Sequence, residues 1–215
     1  MKMRKMKAVA ATALTVVGLM VTSGAEAALV TRLGGKAIYD DVANLTWLQD
    51  ANYAKTSGYD ADGYMNWDQA NAWAGSLNID GVTGWRLPGG TMAYGYNQTA
   101  SEMGNLFYNV LGGTGITDIF YTHNANYDLF KNVQYGSYWF GVEDYYPYAW
   151  SLNLSASSFQ TFYRKDYDLF GWAVRSGDVG ASPVPVPGAL ALMGPALLGL
   201  LGAKRSRRRA GAVIG

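Results

Sequence analysis

Ser-Tyr-Trp-Phe-Gly-Val-Glu-Asp-Tyr-Tyr-Pro-Tyr-Ala-Trp-Ser-Leu-Asn-Leu-Ser-Ala-Ser-Ser-Phe-Gln-Thr-Phe-Tyr-Arg (137–164) sets the architecture of the chain. Its apolar side chains recur every second residue. Tyr138, Phe140 and Val142 share one strand face, while Tyr148, Trp150, Leu152 and Leu154 alternate with Ala149, Ser151 and Asn153. Period two is the repeat of a strand whose two faces differ. Ser155 to Ser158 supply a turn, Phe159 to Arg164 a returning strand, and Phe170 to Arg175 a last strand. The pattern predicts an antiparallel meander.

On the N-terminal side, Ala37-Ile38-Tyr39 and Leu45-Thr46-Trp47-Leu48 flank the turn formers Asp40 to Asn44. They read as a hairpin. Thr56 to Gly63 is a polar loop. Asn66, with Gln69 three residues on, resembles a capping box. Trp67, Ala70, Ala74 and Leu77 then fall on one helix face. A second helix begins near Ser101, with Met103, Leu106, Phe107, Val110 and Leu111 at helical spacing, and Gly112-Gly113 stops it. Hairpin, two helices and meander make an α+β domain, with two helices packed on one twisted antiparallel sheet.

The two ends differ from this middle. Residues 1–27 read as a signal peptide: basic Met1 to Lys7, apolar Ala8 to Val21, then Ala25-Glu26-Ala27 as a small-x-small site cut after Ala27. Residues 28–179 form the domain and 180–187 a Pro-rich linker. Residues 188–203 form an apolar run, about 24 Å long as a helix. Residues 204–215 carry Lys204, Arg205, Arg207, Arg208 and Arg209. An apolar run followed by basic charge is a stop-transfer arrangement with the tail left inside. The expected location is therefore the cell envelope or extracellular surface. The C-terminal helix would anchor the chain in the cytoplasmic membrane, transiently or permanently.

Charge agrees with export rather than nucleic-acid binding. Between 28 and 187 stand eight basic and fifteen acidic residues, a net of −7, where nucleic acid demands a basic face. All 30 aromatic residues lie in the same stretch, and the chain has no Cys. Disulfides, Cys nucleophiles and Cys metal sites are excluded.

Two resemblances follow from motifs. Val-Pro-Val-Pro-Gly-Ala-Leu (184–190), the Gly-rich apolar run and the Arg-rich end together resemble the PEP-CTERM sorting signal. No Glu separates its prolines, but valine-containing variants are similar. The N-terminal pattern implies one processing partner and the resemblance a second. Signal peptidase acts at Ala25 and Ala27. An exosortase-type transpeptidase acts around Val184, Pro185, Val186, Pro187 and Gly188. In the domain, Leu-Thr-Trp-Leu-Gln-Asp (45–50), Trp-Asp-Gln-Ala-Asn-Ala-Trp (67–73), Gly-Trp-Arg-Leu-Pro (84–88), Ser-Tyr-Trp-Phe-Gly (137–141) and Trp-Ala-Val-Arg-Ser-Gly-Asp-Val (172–179) occur in that order. Together they resemble the Lcl C-terminal domain family, over about Leu33 to Val179. That resemblance implies an exported bacterial surface protein with a C-type-lectin-like fold, and adhesion to polysaccharide or matrix.

Candidate sites are few. His123 stands in a loop, without a nucleophile elbow or a Cys partner. Glu143 and Asp144, adjacent on a strand, point to opposite faces. No catalytic residue, cofactor or metal is expected. Asp60-Ala61-Asp62-Gly63, with Asp68 beyond it, lacks the further oxygens of a calcium loop and reads as a solvated acidic turn. Arg86 and Arg175 read as structural, satisfying carbonyls or pairing with an acid. The remaining signal is aromatic: Tyr145, Tyr146 and Tyr148 beside Trp139 and Trp150. Exposed rings of this kind stack on sugar C–H faces. The expectation is a non-catalytic domain that contacts extracellular polysaccharide. A self-associating matrix protein and a carboxylate-based hydrolase stand as alternatives.

Overall fold

The computed structural model describes residues 28–155 and 159–180. The signal peptide, residues 181–187 of the linker, the apolar run at 188–203 and the basic tail lie outside the described residues. Among those described, no helix is long and apolar enough to cross a membrane.

In chain order the strands are β1 (Leu29–Arg32), β2 (Ala37–Asp40), β3 (Leu45–Leu48), β4 (Tyr64–Met65), β5 (Ser137–Glu143), β6 (Tyr148–Asn153), β7 (Gln160–Arg164), β8 (Leu169–Phe170) and β9 (Val174–Ser176). The helices are α1 (Tyr53–Thr56), α2 (Trp67–Ser76), α3 (Glu102–Asn105) and α4 (Ile119–Thr122). The fold is α+β, but it has two sheets where the sequence predicts one. They run β1-β2-β3-β9 and β4-β8-β5-β6-β7.

The predicted hairpin is β2–β3, with Ala37 opposite Leu48. Asp40, buried beneath its turn, accepts from the N–H groups of Val42 and Ala43 at 3.0 and 2.9 Å. Both predicted helix starts are present. Asn66 Oδ1 accepts from Gln69 N at 3.0 Å and Gln69 Oε1 accepts from Asn66 N at 3.1 Å. Ser101 Oγ accepts from Gly104 N at 3.1 Å, and α3 then widens into a π turn over Leu106–Val110. Gly104 is required there, because a Cβ would sit 2.0 Å from the carbonyl oxygen of Gln98.

Two strand expectations need correction. The predicted last strand at 170–175 is broken. β8 belongs to the five-stranded sheet and β9 to the four-stranded one. The chain crosses at Gly171, where a Cβ would come within 2.9 Å of the Trp73 ring. The expected alternation of exposure is also missing. Tyr138, Trp139 and Phe140 are all buried, as are Ala149 to Leu152. Side chains still alternate in direction, but the sheet is covered on both faces.

Trp172 joins the two sheets. Its indole N–H donates to Leu48 O at 2.8 Å, and its ring packs edge-on against Trp47 and Phe130, at 5.6 and 5.2 Å. Leu48 N in turn donates to Ala173 O at 3.0 Å. Arg86 reinforces the same region. It forms a two-pronged pair with Glu102, at 2.6 and 2.7 Å, and Glu102 also accepts from Gly89 N. That contact raises the Arg86 pKa against the opposing effect of its partial burial. Arg175 Nε donates to Thr83 O at 2.8 Å. Both arginines are structural, as read from the sequence.

A paired substitution separates the hydrogen bond of Trp172 from its bulk. Trp172→Phe strands a buried carbonyl, whereas Trp150→Phe removes an indole N–H that has no partner. Trp172→Phe should cost about 1–3 kcal/mol more than Trp150→Phe in urea unfolding.

Candidate functional site

The β5–β6 hairpin carries the residues singled out in the sequence, and the structure divides them. Trp139 is fully buried and its indole donates to Met65 O at 2.8 Å. Trp150 is 4% exposed and packs on Phe162 at 5.5 Å. Neither ring can meet a ligand, so both leave the candidate site. Their place on a sheet covered on both faces is the reason. Tyr145 and Tyr146 are 65% and 85% exposed at the tip, and Tyr148 is half-buried.

The tip is held from several directions. Asp144 N donates to Tyr148 O at 3.0 Å, and Tyr148 N to Tyr145 O at 2.9 Å, closing the turn. Lys165 N donates to Pro147 O at 2.8 Å, and Trp67 N to Lys165 O at 3.0 Å. The Lys165 ammonium lies 4.2 Å from the centre of the Trp67 ring and 2.8 Å from Glu143 Oε1. Trp67 itself is fixed by its indole bond to Phe140 O at 2.8 Å. Tyr148 packs between Tyr145 and Phe162, at 5.1 and 5.5 Å. Tyr145 and Tyr146 thus project from a braced support.

An open cleft of about 240 Å³ lies beside Tyr146 and Pro147. Asn66 and Asp68, at the start of α2, form one wall. Arg164, Lys165 and Asp166, at the end of β7, form the other. Arg164 and Asp166 are paired through two contacts, at 3.0 and 2.8 Å. The hydrogen bond from Arg164 holds the Asp166 carboxyl below its ordinary pKa. This Arg-Lys-Asp wall was not singled out in the sequence, because 159–164 read there only as strand. The charge run Arg164-Lys165-Asp166 at the strand's end was the available signal.

Neither a family model, nor a curated protein, nor a solved structure matches this chain. Functional argument therefore rests on geometry.

The other candidates are occupied locally. His123 caps the end of α4. Its Nδ1 lies 2.9 Å from Ile119 O, so that nitrogen carries the proton, and its ring packs on Tyr127 at 4.4 Å. Burial, with Asp118 and Asp128 nearby, pushes the Tyr127 pKa up to about 12. Glu143 pairs with Lys165. The carboxyl groups of Asp60 and Asp166 both move down in pKa. A general acid at neutral pH needs the opposite direction.

Asp60 is committed to its own turn. Its Oδ1 accepts from Asp62 N and Gly63 N, at 3.0 and 2.7 Å, and Asp62 Oδ1 accepts from Tyr64 N at 3.0 Å. Partial burial raises the Asp60 pKa, but these backbone donors outweigh it and the net movement is downward. Among the described residues, no three His, Cys, Asp or Glu side chains cluster as metal ligands.

Two outcomes follow for this turn. Added calcium should leave Tm unchanged. Because the folded pKa is depressed, the stability contributed by Asp60 is present at neutral pH and is lost as pH falls below the ordinary carboxylate range. The destabilisation of Asp60→Ala relative to the parent should therefore shrink in acid, as read by urea unfolding across pH.

Proposed function

We propose that this is an exported surface or matrix protein whose domain contacts polysaccharide through the Tyr145–Tyr146 tip, without catalysis. One observation carries the reading. Two large aromatic side chains stand 65% and 85% exposed on a braced hairpin, next to a polar cleft. Two adjacent rings on one held tip make a stacking surface of the kind that sugars use. The rings offer faces for stacking, while Asn66, Asp68 and the Arg164–Asp166 pair offer hydrogen bonds to hydroxyls. The motif order in 45–179 and the two-sheet α+β fold are consistent with an Lcl-type, C-type-lectin-like domain. The 1–27 and 184–209 patterns support export by signal peptidase and sorting by an exosortase-type transpeptidase.

A glycan array tests the binding. Tyr146→Ala should lower affinity for the recognised glycan about tenfold, as expected for loss of one ring contact. Its melting temperature should stay at the parent value. Binding indifferent to Tyr145→Ala and Tyr146→Ala together would remove the reading. Intact mass of the protein from cells tests export, with a mature start at Ala28 as the expected result.

Self-association is the second reading, and a separate surface favours it. Met92, Tyr94 and Tyr96 are exposed, and both tyrosines lie 5.8 Å from Phe159. Sedimentation of the purified protein without glycan separates the two: concentration-dependent dimers abolished by Tyr94→Ser would favour assembly.

A further inference from the structure

A second cleft, of about 340 Å³, shares no residue with the first. It is lined by Asn52, Lys55, Thr56, Asn132 and Gln134. Its lining combines amide, hydroxyl and ammonium groups with the methylene and methyl carbons that bear them. A lining of that kind suits an occupant that has both hydroxyls and C–H faces, as a sugar does.

The two sides are fastened together from behind. Ala51 N donates to Lys131 O and Lys131 N to Gln49 O, both at 2.8 Å. Asp50 sits beneath, its Oδ1 accepting from Asn52 N and its Oδ2 from Asn132 Nδ2, each at 2.9 Å. Asn132 holds a left-handed backbone, φ 54°, a conformation that asparagine adopts more readily than most residues. Asn52, 3% exposed, is backed by Gly63, where a Cβ would lie 1.8 Å from Asn52 Oδ1. The Asp60–Gly63 turn therefore packs behind Asn52 and holds it in place.

The unspent groups define the ligand. One N–H of each amide donates to a protein acceptor, Asn52 Nδ2 to Asp62 O, Asn132 Nδ2 to Asp50 Oδ2 and Gln134 Nε2 to Asn132 O, and a second N–H is left over on Asn52 and on Gln134. Both Asp50 oxygens are engaged. Among the described residues, Asn132 Oδ1 and Gln134 Oε1 accept no hydrogen bond, and Asn52 Oδ1 is buried without a partner. Lys55, on the rim, has no acid partner among the described residues. What is left is one cation beside the amides of Asn132 and Gln134, whose oxygens accept and of which Gln134 can also donate. The matching chemistry is a carboxylate next to hydroxyl donors.

We propose that this cleft binds one sugar-acid unit, a hexuronate. Its carboxylate pairs with the Lys55 ammonium, and its ring hydroxyls donate to the amide oxygens of Asn132 and Gln134. The site does not depend on the Tyr145–Tyr146 tip.

Ligand-observed NMR titration of the full chain in mild detergent tests this, with a short galacturonic acid oligomer and its methyl ester as probes. The acid oligomer should bind, and the ester about tenfold more weakly, since it keeps the shape and loses the charge. Lys55→Met, at an exposed position, should weaken the acid oligomer about tenfold. Asn132→Gly suits the left-handed backbone and removes the amide, so it should fold and also bind weakly. Tyr121→Ala, at an exposed position outside both clefts, should leave this binding unchanged. Equal binding of acid and ester, indifference to Lys55→Met and Asn132→Gly, or no binding by the acid oligomer would each overturn the assignment. Loss only on Tyr146→Ala would also overturn it, and would place the sugar at the tip instead.

Discussion

The bond from the Trp172 indole to Leu48 O joins two sheets that no strand pairing connects. It sits at the one place where the chain leaves the five-stranded sheet for the four-stranded one. Its ring reaches Trp47 on β3, Phe130, and Tyr138 on β5, so three separate parts of the chain meet on one side chain. Burying a ring of that size is worth roughly 4–6 kcal/mol. With no Cys in the chain, no disulfide shares this work. Gly171 belongs to the same device, since only a residue without Cβ lets the strand pass the Trp73 ring.

Tryptophan indoles recur as fasteners to the backbone. Trp67 holds Phe140 O, Trp139 holds Met65 O, and Trp85 holds Val82 O. Each spends its N–H on a carbonyl in a different part of the chain or across a turn, satisfying polar backbone that burial would otherwise penalise. Trp67 links this framework to the tip proposed to contact sugar. It carries Lys165 on its face, and Lys165 holds Pro147 and Glu143 in the tip. Stacking on a sugar gains from rings that do not have to be ordered on binding, because their ordering cost was met in folding.

The legible parts of the sequence were those governed by local rules. The β2–β3 hairpin, the Asn66 capping box and the apolar face from Met103 to Leu111 depend on neighbours within a few residues, and each stands in the structure. The illegible parts depend on distant partners. Nothing near Gly171 says that the chain changes sheets there, because the reason is the Trp73 ring almost a hundred residues earlier. Trp139 and Trp150 looked like binding residues beside a tyrosine cluster. They are core because a second layer covers their faces, which a period of two cannot reveal. The cleft walls failed to appear for the same cause: the start of α2 and the end of β7 meet only in three dimensions. The resemblance to the Lcl C-terminal domain supplied an expectation of surface binding, and the residues that carry its motifs are mainly core and fasteners.

The central claim is that the indole framework holds the tyrosine tip in place before any ligand arrives. Native-state hydrogen exchange of the Lys165 amide, which closes the tip onto Pro147, tests it most directly. Protection of that amide comparable to the Leu48 amide at the sheet seam is the result expected of a braced support. Exchange at the rate of an unstructured loop, with the seam still protected, would contradict it.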